Sequence, residues 1–105
     1  MGNYVTMRRW ALKEDAKEPA LVDVVRDGIV PAYRKQPGCL SLNLLRLGVG
    51  PSYLAVTYWD DRAAFDRWAG PEGQGWRDAY RPTLERWLEL MVFQEEWDAE
   101  LLIAG

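Results

Sequence analysis

Histidine is absent from this 105-residue sequence, and cysteine occurs once, at Cys39. Without histidine, no Ser-His-Asp or Cys-His nucleophile can be assembled, nor any His-containing zinc or non-haem iron site. One cysteine excludes an internal disulfide and a cysteine-ligated iron–sulfur cluster, and points to a reducing, cytoplasmic compartment. No apolar run approaches the ~18 residues of a membrane span. Arg8 and Arg9 interrupt the early stretch that a secretory signal would need. An excess of positive charge is missing too: 13 Lys and Arg against 16 Asp and Glu leave a net −3, which argues against a nucleic-acid partner. Gly48-Val49-Gly50-Pro51 is too short for a phosphate-binding loop, and no helix follows it. The carboxylate pairs Asp60-Asp61 and Glu95-Glu96 are sequence neighbours whose side chains diverge, so they read as caps or solvated charges rather than a metal site. Met1-Gly2 with Thr6 matches the N-myristoylation pattern, but the same residues open a strand and the match reads as chance.

Apolar residues make up 49% of the chain and aromatics 12%, enough for a real core in a single domain spanning 1–105. Residues 3–12 carry the β-formers Tyr4, Val5, Thr6, Met7 and Trp10. After a charged stretch, Pro19 opens a helix whose apolar face is Leu21, Val24, Val25, Gly28 and Ile29. Pro31 is expected to kink this helix or end it early, with a last turn at 32–36 before Pro37-Gly38. Residues 39–47 form the second strand, with Leu40, Leu42 and Leu44 on one face and Ser41, Asn43 and Leu45 on the other. A short turn joins it to a third strand at 52–59. Asp60 or Asp61 caps the next helix, which presents Ala64, Phe65, Trp68 and Ala69. The Gly70–Gly75 segment breaks it, a helical piece covers 76–81, and Pro82 starts another that ends near Trp87. Alternation of Leu88, Leu90 and Val92 with Glu89, Met91 and Phe93 predicts the fourth strand over 88–97. The core is thus expected over about 3–97, followed by an apolar tail, 98–105, that a partner subunit could cover.

The order β-α-β-β-α-β is the ferredoxin-like arrangement: an α+β fold with one four-stranded antiparallel sheet and helices on one face. Strands two, three and four carry apolar residues on both faces, so the uncovered side would be a large apolar patch. Two sheets packed face to face in a homodimer resolve this.

Three stretches together resemble the antibiotic biosynthesis monooxygenase domain of the dimeric α+β barrel superfamily. They are Tyr4-Val5-Thr6-Met7, Pro37-Gly38-Cys39-Leu40 through Leu44-Leu45-Arg46, and Tyr53 through Tyr58-Trp59-Asp60 into Ala64-Phe65-Asp66-Arg67-Trp68. The resemblance implies a pocket between sheet and helices and, in some members, cofactor-independent oxygenation of anthrones and quinols, with molecular oxygen as co-substrate. Other members degrade haem with an Asn on the first strand, a Trp on the second helix and an iron-ligating His. Here Trp68 matches the Trp, Arg8 stands at the Asn position, and the His position falls near Trp76 or Arg77. Haem degradation of that type is therefore disfavoured.

These considerations single out Arg8, Trp68 and Arg77 as candidate catalytic residues, and Asn43, Tyr58, Trp76 and Tyr80 as candidate substrate-binding residues. Arg8 and Arg9 are consecutive in a strand, so one must point into a covered region and find a carboxylate or a ligand anion. Glu89 or Glu95 are the expected protein partners. Trp68 would stack on a ring and Arg8 or Arg77 would stabilise an enolate or phenolate. Tyr58, Tyr80 or Asn43 would hydrogen-bond its oxygen. Trp68 and Phe65 at spacing three are equally ordinary core packing. Of six tryptophans, Trp10 and Trp97 read as packing or interface residues, and Trp68 and Trp76 as ligand-facing. No carboxylate is an evident general base. The expectation is a cofactor-free monooxygenase of a small phenolic, anthrone or quinol-like metabolite, with no metal. A non-catalytic module that binds a ligand or only dimerises is the alternative, as is a haem protein using Tyr or Cys39.

Overall fold

A computed structural model describes residues 3–48 and 50–105, which leaves the Met1-Gly2 acylation match outside the described residues. Four strands, β1 (Tyr4–Leu12), β2 (Cys39–Arg46), β3 (Ser52–Trp59) and β4 (Met91–Glu100), form one antiparallel sheet in the order β2-β3-β1-β4. Helices α1 (Glu18–Val24), α2 (Val30–Arg34), α3 (Arg62–Ala69), α4 (Gln74–Ala79) and α5 (Arg81–Leu90) cross between them. This is the ferredoxin-like α+β arrangement that the pattern predicts.

Alternation assigns the two faces of the sheet. Cross-strand neighbours Arg8, Ala55 and Leu44 lie on the inner, helix-covered face. Met7, Val56, Asn43 and Trp97 lie on the outer one. Two bulges redirect side chains that strict alternation would misplace. On β2, Leu40 is the extra residue opposite β3, so Cys39 turns inward beside Trp59 while Leu40 is exposed rather than sharing a face with Leu42 and Leu44. On β4, Gln94 is extra between Phe93, opposite Trp10, and Glu95, opposite Arg9. Phe93 and Glu96 therefore both face inward, next to Trp10 and Arg8.

Several boundaries differ from the sequence expectation, among them the end of β4, where Asp98, Ala99 and Glu100 still pair with β1, so the strand runs past 97 and the tail is shorter than 98–105. Pro31 does not end the first helix: α1 continues through a π-turn, Val25–Ile29, into α2. A proline lacks the N–H of a helical bond and crowds the preceding turn, and a wider turn just ahead of it takes up that mismatch. Residues Leu88, Glu89 and Leu90 belong to α5, not to the fourth strand. They follow the helical stripe of Leu84 and Trp87, and alternation begins only at Met91.

The core has two parts. One joins Leu21, Val25, Ile29, Trp87, Leu90 and Met91 to Tyr53 of the sheet. The other surrounds Trp59, Tyr4, Cys39 and Ala64. Asp61 caps α3 by accepting from the Ala64 N–H at 2.9 Å. Gly38 lets the β2 entry approach that cap: its φ is +83°, and a Cβ there would meet Ala64 Cβ at 2.4 Å. Among the described residues no helix is long and apolar enough to cross a membrane.

Candidate functional site

The inner face of the sheet is not filled everywhere by its helices. Beneath the π-turn lies a cavity of about 300 Å³, at the small end of the range for small-molecule sites. Thr6, Arg8 and Trp10 of β1 form its floor, with Ala55 and Thr57 of β3 and Leu42 and Leu44 of β2. Its roof is Val25 and Ile29 of the π-turn, Tyr33 of α2, and Leu84, Trp87 and Leu88 of α5. Trp10 stands edge-on to Trp87 at 5.1 Å and to Phe93 at 5.3 Å, which fixes the indole that closes one end.

Polar groups in this apolar chamber are few. The Thr6 hydroxyl accepts a hydrogen bond from Trp59 Nε1 at 3.1 Å and is engaged. Thr57 and Tyr33 offer the other two hydroxyls, and Arg8 is the charged residue of the lining. Arg8 Nε donates to Glu96 Oε2 at 3.0 Å, outside the cavity lining. Among the described residues, no protein acceptor hydrogen-bonds its terminal amino nitrogens, and the side chain is 28% exposed, so water reaches it. Burial pushes the Tyr33 phenol up to about 12 even though the Arg8 charge pulls it down. Tyr33 is thus a neutral hydrogen-bond donor near pH 7, not a base.

The predicted site residues do not all converge here. Arg8 lines the cavity, and Arg9 points to the outer face to pair with Glu95. Glu96, not Glu89, takes Arg8; Glu89 pairs with Arg86 along α5. Asn43 and Tyr58 are on the outer face, across the sheet from the cavity. Trp68 packs among Trp59, Phe65, Tyr33 and Trp76, with ring centres 5.4–5.9 Å away. It borders a separate cleft of about 120 Å³ beside Pro37 and Gly73. Trp76 donates its indole N–H to the Ala32 carbonyl at 2.9 Å and Tyr80 stacks beside it at 5.4 Å. Arg77 donates to the carbonyls of Trp68 and Gly70, tying off the end of α3. These four form an aromatic and carbonyl-capping cluster behind the cavity, and touch its lining through Tyr33 and, by way of Trp59, Thr6.

Tyr33, Thr57, Trp87 and the ligand-facing aspect of Trp10 were not evident from sequence. Val25, Ile29 and Tyr33 recur at intervals of four, a stripe that the expected stop at Pro31 concealed.

The lining holds no histidine and no cysteine. Cys39 faces Trp59 instead, and burial pushes its thiol up to about 11. A protonated Tyr33 and a buried thiol outside the cavity are poor axial donors, so these residues do not fit haem ligation.

Comparison with known proteins places this geometry in context. A family model described as antibiotic biosynthesis monooxygenase matches residues 3–81. Among curated proteins none matches the chain. Among solved structures, the cofactor-independent oxygenase SnoaB from Streptomyces nogalater, as its N63A mutant, is 22% identical with a TM-score of 0.70, over 97% of this chain and 95% of that one. HapK from Hahella chejuensis is 18% identical at TM-score 0.74, over 97% and 95%. The haem degrader MhuD from Mycobacterium tuberculosis, solved with two haems in its active site, is 22% identical at 0.71, over 97% and 98%. At these identities the likeness is one of fold.

Proposed function

The chain belongs to the antibiotic biosynthesis monooxygenase family, and from that premise we propose that it is a cofactor-independent monooxygenase of a small aromatic metabolite of phenolic, anthrone or quinol type. The observation that carries this reading is the cavity itself: apolar walls, Arg8 as the one charged residue of the lining and a neutral phenol at Tyr33.

The chemistry asks little of the protein. Loss of a proton from the substrate gives a delocalised anion whose oxygen bears much of the charge. One electron passes from that anion to O₂, and the resulting radical pair joins to form a carbon–oxygen bond. Protonation gives a hydroperoxide; where the carbon was a methylene, loss of water leaves a carbonyl, so one oxygen atom of O₂ enters the product and the other leaves as water. Arg8 holds the anionic oxygen, Tyr33 or Thr57 donates to it, and the surrounding hydrocarbon strengthens those interactions by excluding water. No carboxylate lines the cavity. The Arg8 charge instead favours the ionised substrate, and its proton is released to solvent.

We further propose that the protein works as a homodimer. On the outer sheet face Leu45, Val92 and Trp97 are 48%, 50% and 41% exposed, and Leu102 and Ile103 of the tail are 87% and 86% exposed. Large apolar side chains this exposed on a bare sheet face mark an interaction surface.

Oxygen uptake with a panel of anthrones, quinols and catechols, in chelator and without added flavin, tests the activity. Uptake that needs substrate and survives chelation supports it. No uptake by a folded protein that nevertheless binds these rings would leave a ligand-binding module instead.

A further inference from the structure

The cavity contains an arginine whose two ends face different surroundings. Its Nε is bound by Glu96 at 3.0 Å, which fixes the guanidinium plane. The residue lines the apolar chamber, its side chain is 28% exposed, and its terminal amino groups have no protein acceptor among the described residues. The cavity wall itself supplies no anion to this cation, since Thr6, Tyr33 and Thr57 are its other polar residues apart from two indoles and none of them is a carboxylate. A planar fork of N–H donors beside an apolar wall matches a planar oxyanion carried on a flat ring. Tyr33, neutral at its hydroxyl, adds a donor on the same side, near enough to Arg8 to feel its charge.

We propose that this cavity selects its ligand in the anionic form: a flat aromatic monoanion, its oxyanion on the terminal N–H groups of Arg8. The inference rests on the oxygenase reading only for the identity of the site, and it deepens that reading by stating which protonation state of the substrate enters. It also accounts for a chamber with no base. Ionisation happens in solution or on entry, and the protein stabilises the product of that step rather than catalysing it.

Glu96 has a definite, opposite part in this arrangement. Its carboxylate anchors Nε but also repels an incoming anion. A neutral amide in its place keeps an acceptor for Nε and removes the repulsion. Glu96→Gln is therefore expected to bind anions a few-fold more tightly, an increase that a merely structural role would not produce.

The test is equilibrium binding under argon, by calorimetry, of 2-naphthoate against 2-naphthamide, which share a ring and differ in charge. The wild type is expected to prefer the carboxylate by about 10- to 100-fold, the range for hydrogen bonds to a charged group. Arg8→Gln abolishes the preference, and Arg8→Lys retains part of it by charge alone. In a second arm, 2-naphthol binds more tightly as the pH rises through its own ionisation, which separates phenolate from carboxylate recognition. Equal affinity for acid and amide, no binding of either, or an unchanged preference in Arg8→Gln each overturns the proposal. The two claims fail separately. Chelator-resistant oxygen uptake without anion preference removes this inference alone, and anion preference without uptake removes the oxygenase reading alone.

Discussion

Arg8 and Tyr33 owe their places in the cavity lining to where the backbone sets them. Arg8 would face away from the chamber were its strand one residue out of register; its neighbour Arg9 does so, paired with Glu95 on the opposite face. Replacing Arg8 by Gln is expected to lower kcat/KM by about 100-fold, or roughly 3 kcal/mol, the usual loss when a preorganised oxyanion donor is removed. Steady-state kinetics on the best substrate of the panel would check it. Tyr33 predicts a pH dependence. Both it and Cys39 keep their protons in the folded chain beyond their ordinary values of 10.0 and 9.0, to about 12 and about 11. The unfolded chain releases those protons first. Their stabilising effect is therefore complete below about pH 9 and is lost as the pH rises toward 12. Thermal melts across that interval should show Tm falling, and Tyr33→Phe should make the fall shallower. That Arg8 or Arg9 must face inward was legible in the sequence, because alternation demands it. Which carboxylate would meet it was not, because the bulge at Gln94 turns Glu96 to the inner face and no local signal announces a bulge.

At the scale of elements, the strands and most helices follow from patterns of two and of three to four. The departures have local causes. A proline absorbed by a π-turn extended the first helix, and with it the roof that carries Tyr33. The leucines at 88 and 90 fit helix and strand periodicity alike, and the length of α5 decided between them. Trp68, Trp76, Arg77 and Tyr80 were sound guesses for a site because aromatics and cations around a glycine-rich loop do line ligands. Their hydrogen bonds to the carbonyls of Ala32, Trp68 and Gly70 are tertiary contacts that spacing does not reveal. Two glycines of this segment make opposite predictions. At Gly73 a Cβ would fall 1.9 Å from the Trp68 carbonyl oxygen, so Gly73→Ala should destabilise by about 2 kcal/mol as the backbone is forced apart. At Gly75, within α4, a Cβ meets nothing within 4 Å, and Gly75→Ala should stabilise by up to about 1 kcal/mol through helix propensity. Urea denaturation of the pair reads both signs in one series.

At the scale of the whole molecule, the sheet has one covered and one bare face, and the proposed dimer follows from that asymmetry. A single charge on that face should be enough to separate the subunits: Trp97→Glu is expected to shift the sedimenting species from dimer to monomer, while a surface change such as Arg62→Ala on α3 leaves the dimer intact. A wild-type monomer at micromolar concentration would remove the dimer from the account without touching the cavity, which one chain forms by itself. The α+β architecture and the two-faced sheet were readable from composition and order alone. The position of the ligand chamber was not, because it depends on how far the π-turn stands off the sheet.

The central claim is that cofactor-free oxygenation takes place in the chamber floored by Arg8. Oxygen uptake by wild type, Arg8→Gln and Arg77→Gln on one substrate, in chelator, tests it most directly. The expected result is a rate near wild type for folded Arg77→Gln and a loss of about 100-fold for Arg8→Gln. Full activity in Arg8→Gln together with its loss in folded Arg77→Gln would place the chemistry in the cluster around Trp68 and contradict it.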